Sequence, residues 1–382
     1  MLIAPDKFKG SLTAVEVADA VSDGLLRAVE LDVARLPLAD GGDGSVAAAI
    51  TSGYRRRSVR VASALGRPHD AEIAYDGHTA IVEVASTCGL ATLGGRALSP
   101  MKSSSRGLGE SIAEALQLTP QPRRIVIAPG GSASTDGGAG MLSALGWSLT
   151  DHRGAPIPDG AHQLTYGTAL FPSHPVVPAD VDFVLATDVD NPLLGPSGAA
   201  TTYGAQKGAS TAGLAHLEAG LQAFAQAARV AFGDRLVDAA INIPGAGSGG
   251  GIGFAALLLG ARVVSGGEFF LDLSGFDQAA DRADLIITGE GSLDTQTLRG
   301  KLLAAVARRA GDTDVVAVVG RCTLPPADWP RLRLQSVYAV SDRTDRETAN
   351  DPTLTREHLV AIGREIGSGR FPAPARVAAT MD

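Results

Sequence analysis

Acids and lysines stand among glycines at five places in this chain: Asp6 and Lys7 with Lys9, Asp40 with Asp43, residues 132–136, Asp188 with Asp190, and Glu290 with Asp294. Each set follows a segment that reads as a strand. In an open α/β sheet, ligands bind outside the carboxyl ends of the strands. Carboxylates can hold Mg2+, lysines and glycine-exposed N–H groups can hold phosphate oxygens, and an aspartate can accept a proton from an attacking hydroxyl. One such turn would be unremarkable. Five of them read as a shared site, and the inventory suits phosphoryl transfer.

Asp40-Gly-Gly-Asp-Gly44 packs two acids and three glycines into five residues, which makes a poor simple turn and a good ligand-facing loop. The glycine run 245–253 precedes an apolar helical segment, a position that favours anion binding over mere close packing. Its Gly245-x-Gly247-x-x-Gly250 spacing also matches the dinucleotide fingerprint, with Glu268 as the acid further on, but no convincing strand leads into it. That keeps a nicotinamide oxidoreductase open as a rival. A second rival is a non-catalytic protein that closes two domains on a small anion. Other chemistries lack their residues. There is no Gly-x-x-x-x-Gly-Lys-Ser/Thr loop, no pair of the seven histidines has metal-ligand spacing, and no Gly-x-Ser-x-Gly elbow occurs.

Composition narrows the class. The chain has 382 residues, 45% apolar and 19% charged, with net charge −8, which fits a folded protein without a nucleic-acid-binding face. The basic run Arg55, Arg56, Arg57 and Arg60 reads as a solvated strand or loop. Cys88 and Cys322 are too few for a disulfide framework. The first residues carry Asp6, Lys7 and Lys9 and do not read as a signal peptide; the apolar run 252–261 is too short to span a bilayer. A cytoplasmic protein without membrane partners is expected, with a homodimer left open.

The positioning elements follow from periodicity and punctuation. Residues 2–4 read as a buried strand. Thr13 and Glu16 have capping-box spacing before a helix with apolar residues at 14, 17, 18, 21, 25 and 28. Strands are expected at 33–38, 58–61, 71–75, 79–84, 124–128, 182–187, 285–288, 315–319 and 335–340. Helices are expected at 45–52, 107–118, 141–147, 211–232, after Gly253 to 259, 298–309 and 355–365, with loop and hairpin over 151–180. Asp76-Gly77 reads as a hairpin turn. Strand–helix alternation at both ends predicts a parallel, doubly wound sheet, and the hairpin-bearing middle a mixed α/β domain. The expected division is 1–65 with 276–382, and an inserted 66–275.

Seven motifs in this order resemble the type I glycerate kinases of bacteria over essentially the full length. They are Ile3-Ala-Pro-Asp-Lys-Phe-Lys-Gly-Ser11, Pro37-Leu-Ala-Asp-Gly-Gly-Asp-Gly44, Gly130-Gly-Ser-Ala-Ser-Thr-Asp-Gly-Gly-Ala-Gly140, Thr187-Asp-Val-Asp-Asn-Pro-Leu193, Gly204-Ala-Gln-Lys-Gly208, Pro244-Gly-Ala-Gly-Ser-Gly-Gly-Gly251 and Thr288-Gly-Glu-Gly-Ser-Leu-Asp-Thr-Gln-Thr297. Lys7 stands where the family often has Ser, and Ser292 where it often has Arg. The resemblance implies ATP-dependent phosphorylation of D-glycerate with Mg2+, giving chiefly 2-phosphoglycerate. It also implies a Rossmann-like domain split across the termini, with the site in the cleft.

Under that resemblance, Lys9, Ser11 and the amides of Gly130, Gly131, Ser132 and Ser134 are expected to clamp the substrate carboxylate, with Lys7 and Asp136 also at the substrate and Lys9 among the catalytic residues. Asp188 or Asp190 is the expected base. Gly245, Gly247, Gly249, Gly250, Lys207, Glu290 and Lys301 are expected to face ATP. Asp40, Asp43 and Asp294 are the expected metal ligands.

Overall fold

The Thr13 capping box forms as spaced: the Thr13 hydroxyl accepts from the Glu16 N–H, and Glu16 accepts from the Thr13 N–H at 2.8 Å. It fixes the start of the first helix in a computed structural model that describes residues 1–299 and 301–369, without the Arg299 side chain. In chain order the elements are β1 (Leu2–Pro5), α1 (Ala14–Leu26), β2 (Ala34–Arg35), α2 (Ser45–Thr51), β3 (Arg55–Ala62), β4 (Pro68–Tyr75), β5 (Thr79–Glu83), α3 (Val84–Cys88), α4 (Arg106–Ala115), β6 (Arg124–Ala128), α5 (Ala139–Ala144), β7 (Trp147–Thr150), β8 (Ala169–Pro172) and β9 (Asp182–Ala186). They continue with α6 (Ala199–Tyr203), α7 (Thr211–Phe232), α8 (Asp234–Asn242), α9 (Ser248–Leu258), β10 (Arg262–Val264), α10 (Gly266–Ser274), α11 (Phe276–Ala280), β11 (Leu285–Leu293), α12 (Leu302–Arg309), β12 (Asp314–Cys322), β13 (Leu334–Ala339) and α13 (Pro352–Gly367). Among the described residues no helix is long and apolar enough to cross a membrane.

The fold is α/β. Two compact units are formed by residues 1–40 with 267–382, and by 41–266. The sequence reading draws these lines near 65 and 275. β3, inside the 1–65 stretch, pairs along its whole length with β4 in the sheet of the second unit.

The first unit is a five-stranded parallel sheet in the order β13-β12-β11-β1-β2. Alternate side chains feed two cores on its two faces: Leu2, Ala4, Ile286, Ala317 and Val319 on one, Ile3, Ile287, Val316 and Val318 on the other. Helices α1 and α13 cover one face so closely that a Cβ on Gly24 would lie 2.0 Å from the Val360 carbonyl oxygen. From β1 the chain moves to β2 on one side, and from β11 to β12 and β13 on the other. The centre of the sheet is therefore a topological switch point. The expected strand 33–38 is regular only over β2, but its ladder continues through Leu36 N–H to Ile3 O and Leu38 N–H to Pro5 O.

The second unit holds the sheet β10-β9-β6-β5-β4-β3, parallel from β10 to β5 and antiparallel beyond, with β7 and β8 as a separate hairpin. Its core is a single large cluster from Ala64 to Ala261. The expected helix 141–147 stops at Ala144, because Gly146 takes a left-handed φ of 95° and Trp147 starts β7. Helices α8 and α10, unforeseen in the sequence, flank the glycine run and the return to the first unit.

Candidate functional site

In the first unit the loop after β1 folds back as a tight bend, with Phe8 N–H donating to Leu12 O at 2.8 Å. It brings Asp6, Lys7, Lys9 and Ser11 to the carboxyl end of the sheet. They line a cavity of about 690 Å3 together with Asp40 and Glu290. Lys301, the residue capping the start of α12, also lines it. Glu290 is not in a turn as its glycines suggest: β11 runs on to Leu293, so Glu290 is a strand residue at the switch point.

Lys7 holds two acids together. Its Nζ lies 3.4 Å from Asp6 Oδ1 and 3.1 Å from Asp40 Oδ1, and its N–H donates to Asp6 at 2.8 Å. Burial pushes the Asp6 carboxyl up to about 7; Lys7 opposes this and Asp40 adds to it. Burial raises Glu290 to about 7 as well, against a 2.6 Å hydrogen bond from Thr297 and the charge of Lys301. Asp294 lies 3.8 Å from Lys301 and accepts from Gln296 N–H. Among the described residues no three His, Cys, Asp or Glu side chains come together as a metal cage. The Asp6–Asp40 pair still fits Mg2+, which commonly binds one or two carboxylates and completes its shell with water and substrate phosphates.

In the second unit four loops meet at the carboxyl end of the other sheet. Asp43 belongs to this unit. A Cβ on Gly41 would lie 2.2 Å from the Ala186 oxygen, one on Gly130 2.5 Å from Gly42 Cα, and one on Gly245 3.2 Å from Thr187 Cγ2. Gly131 has φ 77°, and its oxygen accepts from Leu90 N–H at 2.9 Å. Lys207 is 3% exposed and donates to Ser132 Oγ at 2.7 Å and to Ser134 O at 2.5 Å. Burial depresses it to about 8, while Asp136 works the other way. The hydroxyls of Ser134, Thr135 and Ser248 are buried without a partner.

Residues expected to serve separate partners, Lys207 for ATP and Ser132 and Ser134 for substrate, thus share one cluster. Asp136 spends its oxygens on Ser105 N–H and Oγ, both at 2.8 Å, and on Gly138 and Gly140 N–H, so it shapes the loop. Gly249, Gly250 and Gly251 are left-handed, and helical geometry starts only after them. At Gly250 a Cβ would lie 2.1 Å from Ser134 O and 2.8 Å from Lys207 Nζ. Gly247 is held by the Asn191 oxygen at 2.9 Å. The run is entered from α8, a helix, so the strand that a dinucleotide fingerprint needs is missing. Asp188 and Asp190 are exposed after β9, and Asp188 accepts from Ser265 Oγ at 2.7 Å.

Arg321, Ser341, Arg346 and Thr355 also line the first cavity and carry no glycine motif that would single them out. The one available signal for Arg321 is its place directly after Gly320 at a strand end.

The sequence model described as the glycerate kinase family matches residues 1–366. A glycerate kinase of Bacillus subtilis is 37% identical over 324 residues, 83% of either chain. A glycerate 2-kinase of Escherichia coli is 37% identical over 85% of either chain. A crystal structure of a protein assigned as glycerate kinase 2 from Salmonella typhimurium superposes with TM-score 0.76 at 31% identity, covering 96% of this chain and 97% of that one.

Proposed function

The chain belongs to the glycerate kinase family, and from that premise we propose that it transfers the γ-phosphoryl group of ATP, as the Mg2+ complex, to D-glycerate, giving chiefly 2-phosphoglycerate. The observation that carries this reading is the Lys7-bridged Asp6–Asp40 pair beside Glu290 in a cavity at a switch point. Desolvation holds the Asp6 and Glu290 carboxyls up near 7, and the neighbouring Asp40 charge adds to the shift of each. Mg2+ there would favour the charged carboxylates and neutralise charge on the transferring phosphoryl group. Asp6 and Asp40 would hold it, and Lys9 and Lys301 would take phosphate oxygens.

Asp188 is the proposed base. In the transfer, the glycerate oxygen forms a bond to the γ-phosphorus, the bond from that phosphorus to the β–γ bridging oxygen breaks, and the hydroxyl proton passes to the carboxylate. The Ser265 hydroxyl bonded to Asp188 Oδ1 fixes the carboxylate's orientation. The glycine-lined loops with Lys207 are the proposed anion cradle of the second unit, with Gly130–Gly131 N–H groups available to the substrate carboxylate.

The test is ADP release by the purified chain with D-glycerate and with glycerol, the product being resolved as 2- or 3-phosphoglycerate. Turnover with glycerate alone and a 2-phosphate product support the reading. Equal rates on both alcohols would remove the carboxylate clamp from it.

A further inference from the structure

Two cations of the first cavity, Arg321 and Arg346, hold no part in the proposed transfer. Arg321 lies on β12 in parallel register with Ser292 of β11, and both residues line the cavity. Arg346, the other arginine there, is paired with Asp351 at 3.2 Å. No described residue forms a hydrogen bond or ion pair with the Arg321 side chain. Two hydroxyl oxygens in the same cavity, Ser11 Oγ and Ser292 Oγ, are buried with no partner. A buried hydroxyl left unsatisfied is costly, so two in one cavity beside a lone guanidinium point to a ligand that accepts.

The cavity of about 690 Å3 leaves room for one, and Gly291 and Gly320 line it. A Cβ on Gly320 would lie 2.5 Å from Gly291 O, and one on Gly291 3.4 Å from Lys9 N. These glycines pack β11 closely against β12 and present bare backbone to the cavity.

We infer that Arg321, with the Ser11 and Ser292 hydroxyls, forms an oxyanion subsite that clamps a carboxylate or a phosphoryl group of a bound substrate. A guanidinium offers a planar fork that matches two oxygens of such a group, and hydroxyls donate to the remaining lone pairs. The inference rests on the kinase reading and adds a binding residue to it.

Arg321 is exposed, so Arg321→Ala and Arg321→Lys are expected to fold with unchanged Tm. Steady-state rates with D-glycerate and ATP varied separately identify the oxyanion. A carboxylate clamp raises KM for D-glycerate about 10- to 100-fold in Arg321→Ala and leaves KM for ATP within twofold. A phosphate clamp gives the reverse. Arg321→Lys recovers part of the loss, and Ser292→Ala moves the same KM by a smaller factor. Thermal shifts with D-glycerate and with ADP provide a readout independent of turnover. If the parent chain does not phosphorylate D-glycerate but its ADP shift disappears in Arg321→Ala, the subsite stands and the glycerate reading fails. If the parent turns over and both KM values and both shifts in Arg321→Ala match it, the subsite is refuted.

Discussion

The two sheets end in loop clusters built on opposite principles. In the first unit, acids are crowded around one lysine beside an open cavity: Asp6, Asp40 and Glu290 with Lys7. In the second, glycines let four loops touch, and one buried lysine is bonded to the loop it supports: Lys207 to Ser132 and Ser134. Burial acts on both with opposite sign, raising the Asp6 and Glu290 carboxyls to about 7 and lowering Lys207 to about 8. The first gathers three acids around one lysine at an open cavity, the donor set proposed for a cation; the second ties its lysine into the loops and keeps the Ser134, Thr135 and Ser248 hydroxyls buried without partners.

Asp188→Asn should lower kcat by about 100- to 10,000-fold with an unchanged Tm, because Asp188 is exposed and its proposed role is proton transfer. Near-normal turnover would take the base out of the second cluster. Removing Lys207 should instead be felt in the fold. Lys207→Met leaves Ser134 O and Ser132 Oγ without their donor, at a cost of about 1–3 kcal/mol read by urea unfolding. A stability equal to the parent's would mean the lysine is not structural. Gly250→Ala combines φ 74° with a 2.1 Å approach to Ser134 O and should cost roughly 1–3 kcal/mol; an unchanged urea midpoint would refute the close packing of these loops.

The smallest effect is on pH. Asp6 and Glu290 keep protons in the folded chain that the unfolded chain has already released between about pH 4 and 7. The folded state binds more protons there, so their contribution makes stability fall as pH rises through that window. Lys207 does the opposite between about pH 8 and 10.5, where the unfolded chain binds more protons and stability rises with pH. Comparing Tm against pH for the parent and Asp40→Asn isolates the acid window. The slope should be shallower in the variant, since Asp40 raises both carboxyls; an identical slope would deny the crowding.

Much of this was legible in residue order. The Thr13–Glu16 spacing announced a helix cap, residues 211–232 carried a long helical period, and the apolar run 124–128 between turn signals is β6. Strand–helix alternation at both termini was enough for the parallel sheet. Contacts over long separations were not legible: nothing in the string says that Lys7 reaches Asp40, 33 residues on, or that Lys207 is buried against Ser132, 75 residues earlier. Glu290 sits among glycines and reads as a turn, yet those glycines let β11 run against β12, with Val318 O only 2.1 Å from where a Gly289 Cβ would be. Gly146 looked like any helix residue until its left-handed φ ended α5. Arg321 had no motif at all; register with Ser292 made it visible.

The most direct test of the acid cluster's role is the Mg2+ dependence of D-glycerate-dependent ADP formation in the parent and in Asp40→Asn. The half-saturating Mg2+ concentration should rise about tenfold or more in the variant, with most of kcat regained at high Mg2+. The same Mg2+ curve in both proteins would contradict the assignment of the Lys7-bridged acids to the metal.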